Sequence, residues 1–422
     1  MKKKYKIGVI GLGYVGLPLA YEFSKKFNTY GFDKSKKRLS EIKKNIDTNN
    51  QISKKNLKSS KIKLSDKIAE LSDVNFYIIT VPTPINNVNK PDLTFVKSAT
   101  ELVAKNLKKG DIVVYESTVY PGLTTEICIP LLESLSLMKI NKDFYCGYSP
   151  ERINPGDSSK SLTKINKIVS ASNSKSLREI YYVYKKIIKA DVIRTSSIEV
   201  AEAAKVIENT QRDLNIGLIN ELSQIFSRLN IDTEEVLKAA ATKWNFNFFK
   251  PGLVGGHCIG VDPYYLTYKS KLVGHEPKII LAGRSVNDSM SKYVSKKILS
   301  KLNKLKKIKK NILILGCTFK ENCPDIRNSK VFDVYNYLKK KDNILVDVFD
   351  PEADKKEVFS YYNIKLIDKI KKNFYDVIVL AVPHNQFNKK EFENPKKTFG
   401  NKKSYLFDLK FFYEKELSDF RL

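Results

Sequence analysis

Tyr5 to Ile10 is a short apolar run rich in β-branched residues, and Gly11-Leu12-Gly13-Tyr14-Val15-Gly16 follows it at once. Leu17 to Phe27 then has helical character. Strand, G-x-G-x-x-G and helix in immediate succession describe a βα unit whose backbone N–H groups and helix N-terminus surround a pyrophosphate. The glycines make the tight turn, admit the pyrophosphate close to the backbone and let helix press on strand. A second strand, Thr29 to Phe32, ends in Asp33. A carboxylate there accepts hydrogen bonds from ribose hydroxyls and repels a 2′-phosphate, so NAD is favoured over NADP. Lys34, Lys36, Lys37 and Arg38 argue the other way, and Arg38 is kept as a cofactor contact beside Gly11, Gly13, Tyr14, Val15, Gly16 and Asp33.

The same stretch imitates a secretory signal, with lysines ahead of apolar residues, but Gly8, Gly11, Gly13, Gly16 and Pro18 fit the nucleotide motif better. No apolar run reaches the roughly 18 residues that a membrane helix needs, so no span is expected. At 422 residues the chain is long enough for two or three separate cores. Its five cysteines, at 128, 146, 258, 317 and 323, are odd in number and scattered, which makes no disulfide framework and points to a reducing cytoplasm. The formal charge of +29 raises nucleic acid as a partner, yet lysine outnumbers arginine 66 to 9 and is spread along the whole length. Base readers cluster arginine and aromatics on one element. Dispersed lysine reads instead as compositional bias with an anionic substrate as an added motive, and no nucleic-acid partner is expected.

Further strands are expected at Phe76 to Val81, ending in Pro82-Thr83-Pro84, and at Asp111 to Tyr115, ending in Glu116-Ser117-Thr118. Ligands bind beyond the carboxyl ends of parallel strands, which makes Thr83 and Thr118 candidate cofactor contacts. Hydroxyls that cap turns are as good a reading of each alone. Tyr145 to Asp157 reads as a loop whose Glu151 and Arg152 are site candidates. From Ser197 to Asn230 apolar residues recur at helical spacing without proline, so a long helix is expected, and its length suggests a dimer surface. Lys205 and Asn209 share one face of it, and Glu208 with Arg212 reads as a surface ion pair. Past the lysine-rich segment 301–310, the order of strand endings seen at Gly11, Asp33 and Pro82 returns at Gly316, Asp350 and Pro383. That repetition implies a second Rossmann-like sheet whose glycine turn, lacking the full fingerprint, takes a different phosphate-bearing ligand. The fold class is therefore α/β, with two Rossmann-like parallel-sheet domains joined by a central helical domain that contains the long helix. The boundaries expected are 1–196, 197–300 and 301–422.

Between the two sheets lies Pro251 to Tyr265, in which Cys258 stands behind Gly252, Gly255 and Gly256, beside His257 and ahead of Asp262. A cysteine in such a chain is often just a small buried apolar residue. A thiol in a glycine-rich loop, however, has room to meet an electrophile. An alcohol that loses hydride gives an aldehyde, and an aldehyde loses a second hydride only after something adds to its carbonyl. A thiolate adds well, and the thiohemiacetal then becomes a thioester that water cleaves. Lys205 and Asn209 would stabilise the developing alkoxide and oxyanion, a contribution of about 3 to 4 kcal/mol per donor. Asp262, Glu151 or His257 would orient or deprotonate the water. His257, His275 and His384 have no ligand spacing, so a metal-dependent mechanism is disfavoured.

Through GLGYVGLPLA, VPTP, ESTVYPG, YSPERINPG, AAKVIENTQRDLNI, GLVGGHCIGVDPYY and GCTFKENCPDIRNS, the sequence resembles the UDP-glucose/GDP-mannose dehydrogenase family over nearly its whole length. The resemblance implies a four-electron oxidation of the sugar C6 to a carboxylate with two NAD, through a covalent Cys258 thioester. It likewise implies catalytic roles for Thr118, Glu151, Lys205, Asn209 and Asp262. Phe249 to Gly256, with Gly252 and Gly255, would hold the sugar nucleotide together with Arg152 and Lys320, while Arg327 would meet cofactor or substrate. SPERINPG and KPGLVGGHCIGVDPYYL are most similar to the UDP-N-acetylglucosamine/UDP-N-acetylgalactosamine branch, which supplies surface polysaccharides. Pro155 and Gly156 stand where UDP-glucose enzymes tend to carry a second acidic residue. UDP-glucose and UDP-N-acetylmannosamine are the alternative substrates. A two-electron dehydrogenase using a helix lysine alone, and a non-catalytic NAD-binding regulator, are the readings from other classes.

Overall fold

The computed structural model describes residues 4–86, 88–153 and 161–422. Pro155 and Gly156 lie outside the described residues. The chain divides into two compact units, Met1–Glu208 with Tyr264–Glu276, and Asn209–Pro263 with Pro277–Leu422.

The first unit holds an eight-stranded sheet of β1 (Lys6–Ile10), β2 (Asn28–Phe32), β3 (Lys63–Ser65), β4 (Phe76–Ile79), β5 (Ile112–Tyr115), β6 (Tyr145–Tyr148), β7 (Lys167–Ala171) and β8 (Val192–Arg194), in the order β3-β2-β1-β4-β5-β6-β7-β8. Neighbours are parallel except β6 with β7. Every residue of β4 and β5 is buried, as strands covered on both faces require. Because β1 lies between β2 and β4, the crossovers leave it in opposite directions and open a crevice beyond its carboxyl end. Tyr145–Tyr148, expected to begin a loop, is instead strand β6: its side chains are buried, and the loop starts only after it.

The second unit holds β9 (Lys310–Leu315), β10 (Ile344–Phe349), β11 (Tyr375–Leu380), β12 (Gly400–Asp408) and β13 (Phe420–Arg421), all parallel in the order β10-β9-β11-β12-β13. Its core gathers Ile312, Ile314, Val377 and Val379 against Phe332 and Leu338 of the helix Val331–Lys339. The sheet is thus the second Rossmann-like one expected, with β9 in the position that β1 holds in the first.

The expected long helix is Ile198–Leu229. Beside the buried apolar Ala201, Val206 and Ile219, its burial departs from that of an ordinary surface helix in two ways. Glu202, Lys205, Asn209, Asp213 and Asn220 form a buried polar stripe, whereas Val200, Ile207, Leu218, Ile225 and Leu229 are exposed, Leu218 at 55%. In the second unit this helix crosses the helix Lys278–Leu302 closely, since a Cβ on Gly217 would lie 3.1 Å from the carbonyl oxygen of Gly283.

Candidate functional site

In the first unit the loop after β1 is fixed before any ligand arrives. Gly11 has φ +97°, and a Cβ on Gly16 would sit 1.8 Å from the Gly11 carbonyl oxygen, so only glycine allows the helix Gly16–Ser24 to start so close to the turn. A Cβ on Gly13 would meet nothing within 4 Å, which leaves that side open. Leu12 is clamped from both sides: its N–H donates to Asp33 Oδ2 at 2.8 Å, and its carbonyl accepts from Arg38 Nε at 2.8 Å. Arg38 is held in turn by Asp47 at 2.7 Å. Its guanidinium braces the loop rather than standing ready for a 2′-phosphate, and the acidic end of β2 together with the open side of Gly13 fits NAD. Thr80, not singled out in the sequence, donates to the Gly11 carbonyl at 2.7 Å. Thr83 and Thr118 both lie half-buried beyond the carboxyl ends of β4 and β5, as expected.

Beyond β5 the polar groups are deeply buried. Lys167 Nζ bridges Glu116 Oε2 at 2.6 Å and the Pro150 carbonyl at 2.9 Å, which fixes the peptide just ahead of Glu151. Burial pushes the Glu116 carboxyl up, and Lys167 opposes that shift. Glu151 is 8% exposed, and its Oε2 has no hydrogen-bond partner among the described residues. Arg152 donates to Glu208 at 2.6 Å and to the Asn166 carbonyl at 3.2 Å. The ion pair of Glu208 is therefore with Arg152, not with Arg212 one helical turn away. Glu202 accepts from the N–H groups of Gly122 and Thr124 at 2.6 and 3.0 Å, and burial pushes its carboxyl up to about 7. This ties the Thr118 segment to the long helix three residues before Lys205, which is itself 7% exposed.

In the second unit Asn209 Nδ2 donates to Asp262 Oδ2 at 2.6 Å, and both side chains are buried. The N–H of Asp262 donates to the carbonyl of Cys258 at 2.8 Å, closing one turn from the cysteine to the helix Asp262–Leu272. None of the five cysteines is in a disulfide, and Cys258 alone is not buried. Burial pushes Cys128 up to about 12 and raises Cys146, Cys317 and Cys323. Among the five, Cys258 is the thiol that burial does not hold back.

The glycine loop before it is pinned to its surroundings. Asn220 donates to the Gly252 carbonyl at 3.0 Å and accepts from its N–H at 2.8 Å. Behind Asn220, Asn287 links it to Asp213, and Arg284 closes on Asp213 at 2.6 Å. A Cβ on Gly255 would lie 2.6 Å from the Asn328 carbonyl oxygen, and one on Gly256, whose φ is +84°, would lie 2.7 Å from the Phe319 ring. Arg327 is gripped by Asp325 and reaches His257 Nδ1 at 3.3 Å. Burial pushes the Asp325 carboxyl up, but the hydrogen bonds and charge of Arg327 outweigh it and hold the group below its ordinary range. Phe249 and Lys320 are half-buried. A shallow cleft open to solvent lies beyond β9 and β11; Gly255, Thr318, Phe319, Lys330 and Lys410 are among its lining.

Three domain profiles of one family match the chain in order. They are the NAD binding domain of the UDP-glucose/GDP-mannose dehydrogenase family at residues 5–188, its central domain at 199–289 and its UDP binding domain at 313–415. The chain belongs to this family. It is an NAD-dependent nucleotide-sugar dehydrogenase. It is 53% identical to a UDP-N-acetyl-D-glucosamine 6-dehydrogenase of Salmonella typhi, over 99% of this chain and 98% of that one. A second enzyme of that name, from Pseudomonas aeruginosa, is 49% identical over 100% of both chains. Among solved structures, a UDP-D-ManNAc dehydrogenase from Pyrococcus horikoshii superposes with a TM-score of 0.87 at 28% identity, covering 99% of this chain and 98% of the other. Among the described residues no helix is long and apolar enough to cross a membrane.

Proposed function

We propose that the chain oxidises C6 of a UDP-N-acetylhexosamine, the N-acetylglucosamine or N-acetylgalactosamine form, to the uronic acid in two successive NAD-dependent steps. The observation that carries this reading is the 49–53% identity to UDP-N-acetyl-D-glucosamine 6-dehydrogenases over the full chain, joined to a single half-exposed thiol one turn from the Asn209–Asp262 pair. UDP-N-acetylmannosamine is the second reading, supported by the solved neighbour of that activity at 28% identity.

Gly11, Gly13, Tyr14, Val15 and Gly16 would hold the NAD diphosphate and Asp33 its ribose, with Thr83, Thr118 and Arg327 as further contacts. NAD, when bound, accepts one hydride in each oxidation. Lys205 and Asn209 steady the charge that develops on the C6 oxygen. The Cys258 thiolate adds to the aldehyde carbon, forming a C–S bond as the carbonyl pair moves to oxygen. Loss of the second hydride leaves a thioester on Cys258. Water then adds to it, the C–S bond breaks, and the thiolate and the acid are released. Asp262 is held by Asn209 at the turn that follows the thiol, and Glu151 has a buried oxygen with no partner among the described residues; these are the two carboxylates for orienting that water. Phe249, Gly252, Gly255, Gly256, Arg152 and Lys320 would bind the sugar nucleotide.

Three domains at 1–196, 197–300 and 301–422 are the proposed division, supported by family matches at 5–188, 199–289 and 313–415. The exposed apolar stripe of the long helix is the surface through which two copies would pair. The protein is assigned to the cytoplasm, with its uronic acid destined for a surface polysaccharide. Incubating the purified chain with NAD and a panel of UDP-sugars, with the product read by mass, tests the substrate. A UDP-N-acetylhexosamine should be converted at least tenfold faster than UDP-glucose, and equal or inverted rates would reject the assignment.

A further inference from the structure

His384 is fully buried in the second unit and plays no part in the chemistry above. The backbone N–H of Asn322 donates to its Nδ1 at 3.0 Å, so that nitrogen must carry the lone pair. Its Nε2 therefore carries the hydrogen and points it at Asp350 Oδ2, 3.1 Å away. The same carboxylate oxygen accepts from the N–H groups of Cys317 and Thr318 at 2.5 and 3.1 Å. Between these anchors runs the turn Gly316–Asn322. Thr318 Oγ1 donates to the Lys320 carbonyl at 2.8 Å and lies 3.3 Å from His384 Nε2. Lys320 is thus the midpoint of a turn fastened on one side at Cys317 and Thr318 and on the other at Asn322.

The turn has two working edges. Thr318, Phe319 and Glu321 line the cleft beyond β9 and β11 together with Lys330 and Lys410. Phe319 also packs on Gly256 and meets the His257 ring edge-on, with centroids 5.7 Å apart, immediately before Cys258. A shift of the turn would move both the wall of the cleft and the support of the glycine loop.

We propose that His384, as its neutral Nε2–H tautomer, is a positioning residue that holds the Gly316–Asn322 turn in the shape that binds the uridine diphosphate part of the substrate. The inference rests on the reading that this unit binds the nucleotide sugar. Without the acceptor at Nδ1, the Asn322 end of the turn loses its buried fastening, and the ligand must order it at the cost of affinity. The step is one of binding, so the effect falls on KM for the sugar nucleotide and not on kcat at saturation.

Two isosteric substitutions separate the ring's two nitrogens. His384→Asn keeps an acceptor where Nδ1 stands, whereas His384→Gln keeps a donor where Nε2 stands and loses that acceptor. UDP binding to the full chain is measured by calorimetry, with NAD binding in parallel. His384→Gln should raise the Kd for UDP and the KM for the sugar roughly tenfold, the scale of one unmade buried hydrogen bond, with NAD affinity and kcat unchanged. His384→Asn should stay within about threefold of the parent. Equal UDP affinity in both variants and the parent, equal losses in both variants, or a parallel fall in NAD affinity would overturn the proposal. If the parent itself fails to bind UDP, the reading of the unit fails instead. Should His384→Gln not fold, His384→Asn, which keeps the acceptor for the Asn322 N–H, must still bind UDP within about threefold of the parent, and a roughly tenfold loss in that variant would overturn the proposal by itself.

Discussion

Asn209 Nδ2 lies 2.6 Å from Asp262 Oδ2, both buried, and Asp262 stands one backbone hydrogen bond from the Cys258 carbonyl. An amide so placed has a second hydrogen for an oxyanion while it fixes the carboxylate. Asn209→Ala should lower kcat by about 10²–10³-fold, the usual scale for one oxyanion donor. It should also destabilise the fold by about 1–3 kcal/mol, because a buried carboxylate loses one of its hydrogen bonds. Steady-state kinetics and a denaturant midpoint, taken on the same preparation, read the two effects separately. A loss of stability without a loss of kcat would leave Asn209 a structural residue only.

Glu202 supplies a pH dependence. Burial lifts its folded pKa to about 7 from an ordinary 4.5, so the folded chain binds this proton more tightly than the unfolded chain does. Stability from this group is fully present below about pH 4.5 and is lost as pH rises through 7, a change of about 3 kcal/mol. In Glu202→Gln that part of the slope disappears. The difference in unfolding free energy between parent and variant should therefore drift against the parent from pH 5 to pH 8; a constant difference would contradict the assignment.

The exposed apolar stripe of Val200, Ile207, Leu218, Ile225 and Leu229 is the surface assigned to a second copy. A polar residue in the middle of a packed interface is desolvated without a partner. Leu218→Glu should shift the sedimentation of the protein from dimer to monomer while leaving its far-ultraviolet circular dichroism unchanged. A parent that already sediments as a monomer would remove this interface.

Much of this architecture is legible in the chain because strand endings carry the signal. Gly11 and Gly316 both have positive φ, and Asp33 and Asp350 both accept a backbone N–H from the loop beside them, so the repeated order of endings reflects a repeated hydrogen-bonding solution. The edge strands β3, β8 and β13 have three residues or fewer and too little periodicity to read. The long helix was legible as a helix, but its polar stripe was not. Asp213 and Asn220 look solvated until Arg284 and Asn287, 71 and 67 positions along the chain, close on them. The partner of Glu208 is hidden for the same reason: Arg152 comes from a distant loop, and helical spacing reports only local neighbours. His384 gave no signal at all, since a lone histidine is informative only when its two nitrogens have known partners.

In the proposed reaction Cys258 carries one sugar through two oxidations. The most direct test counts NADH formed per UDP-N-acetylhexosamine consumed, in the parent and in Cys258→Ser, with the product identified by mass. The parent should release two NADH per uronic acid, and the variant should lose acid production on the order of 10³-fold or more. One NADH per sugar, or a serine variant that still makes the acid at the parent's rate, would contradict the account.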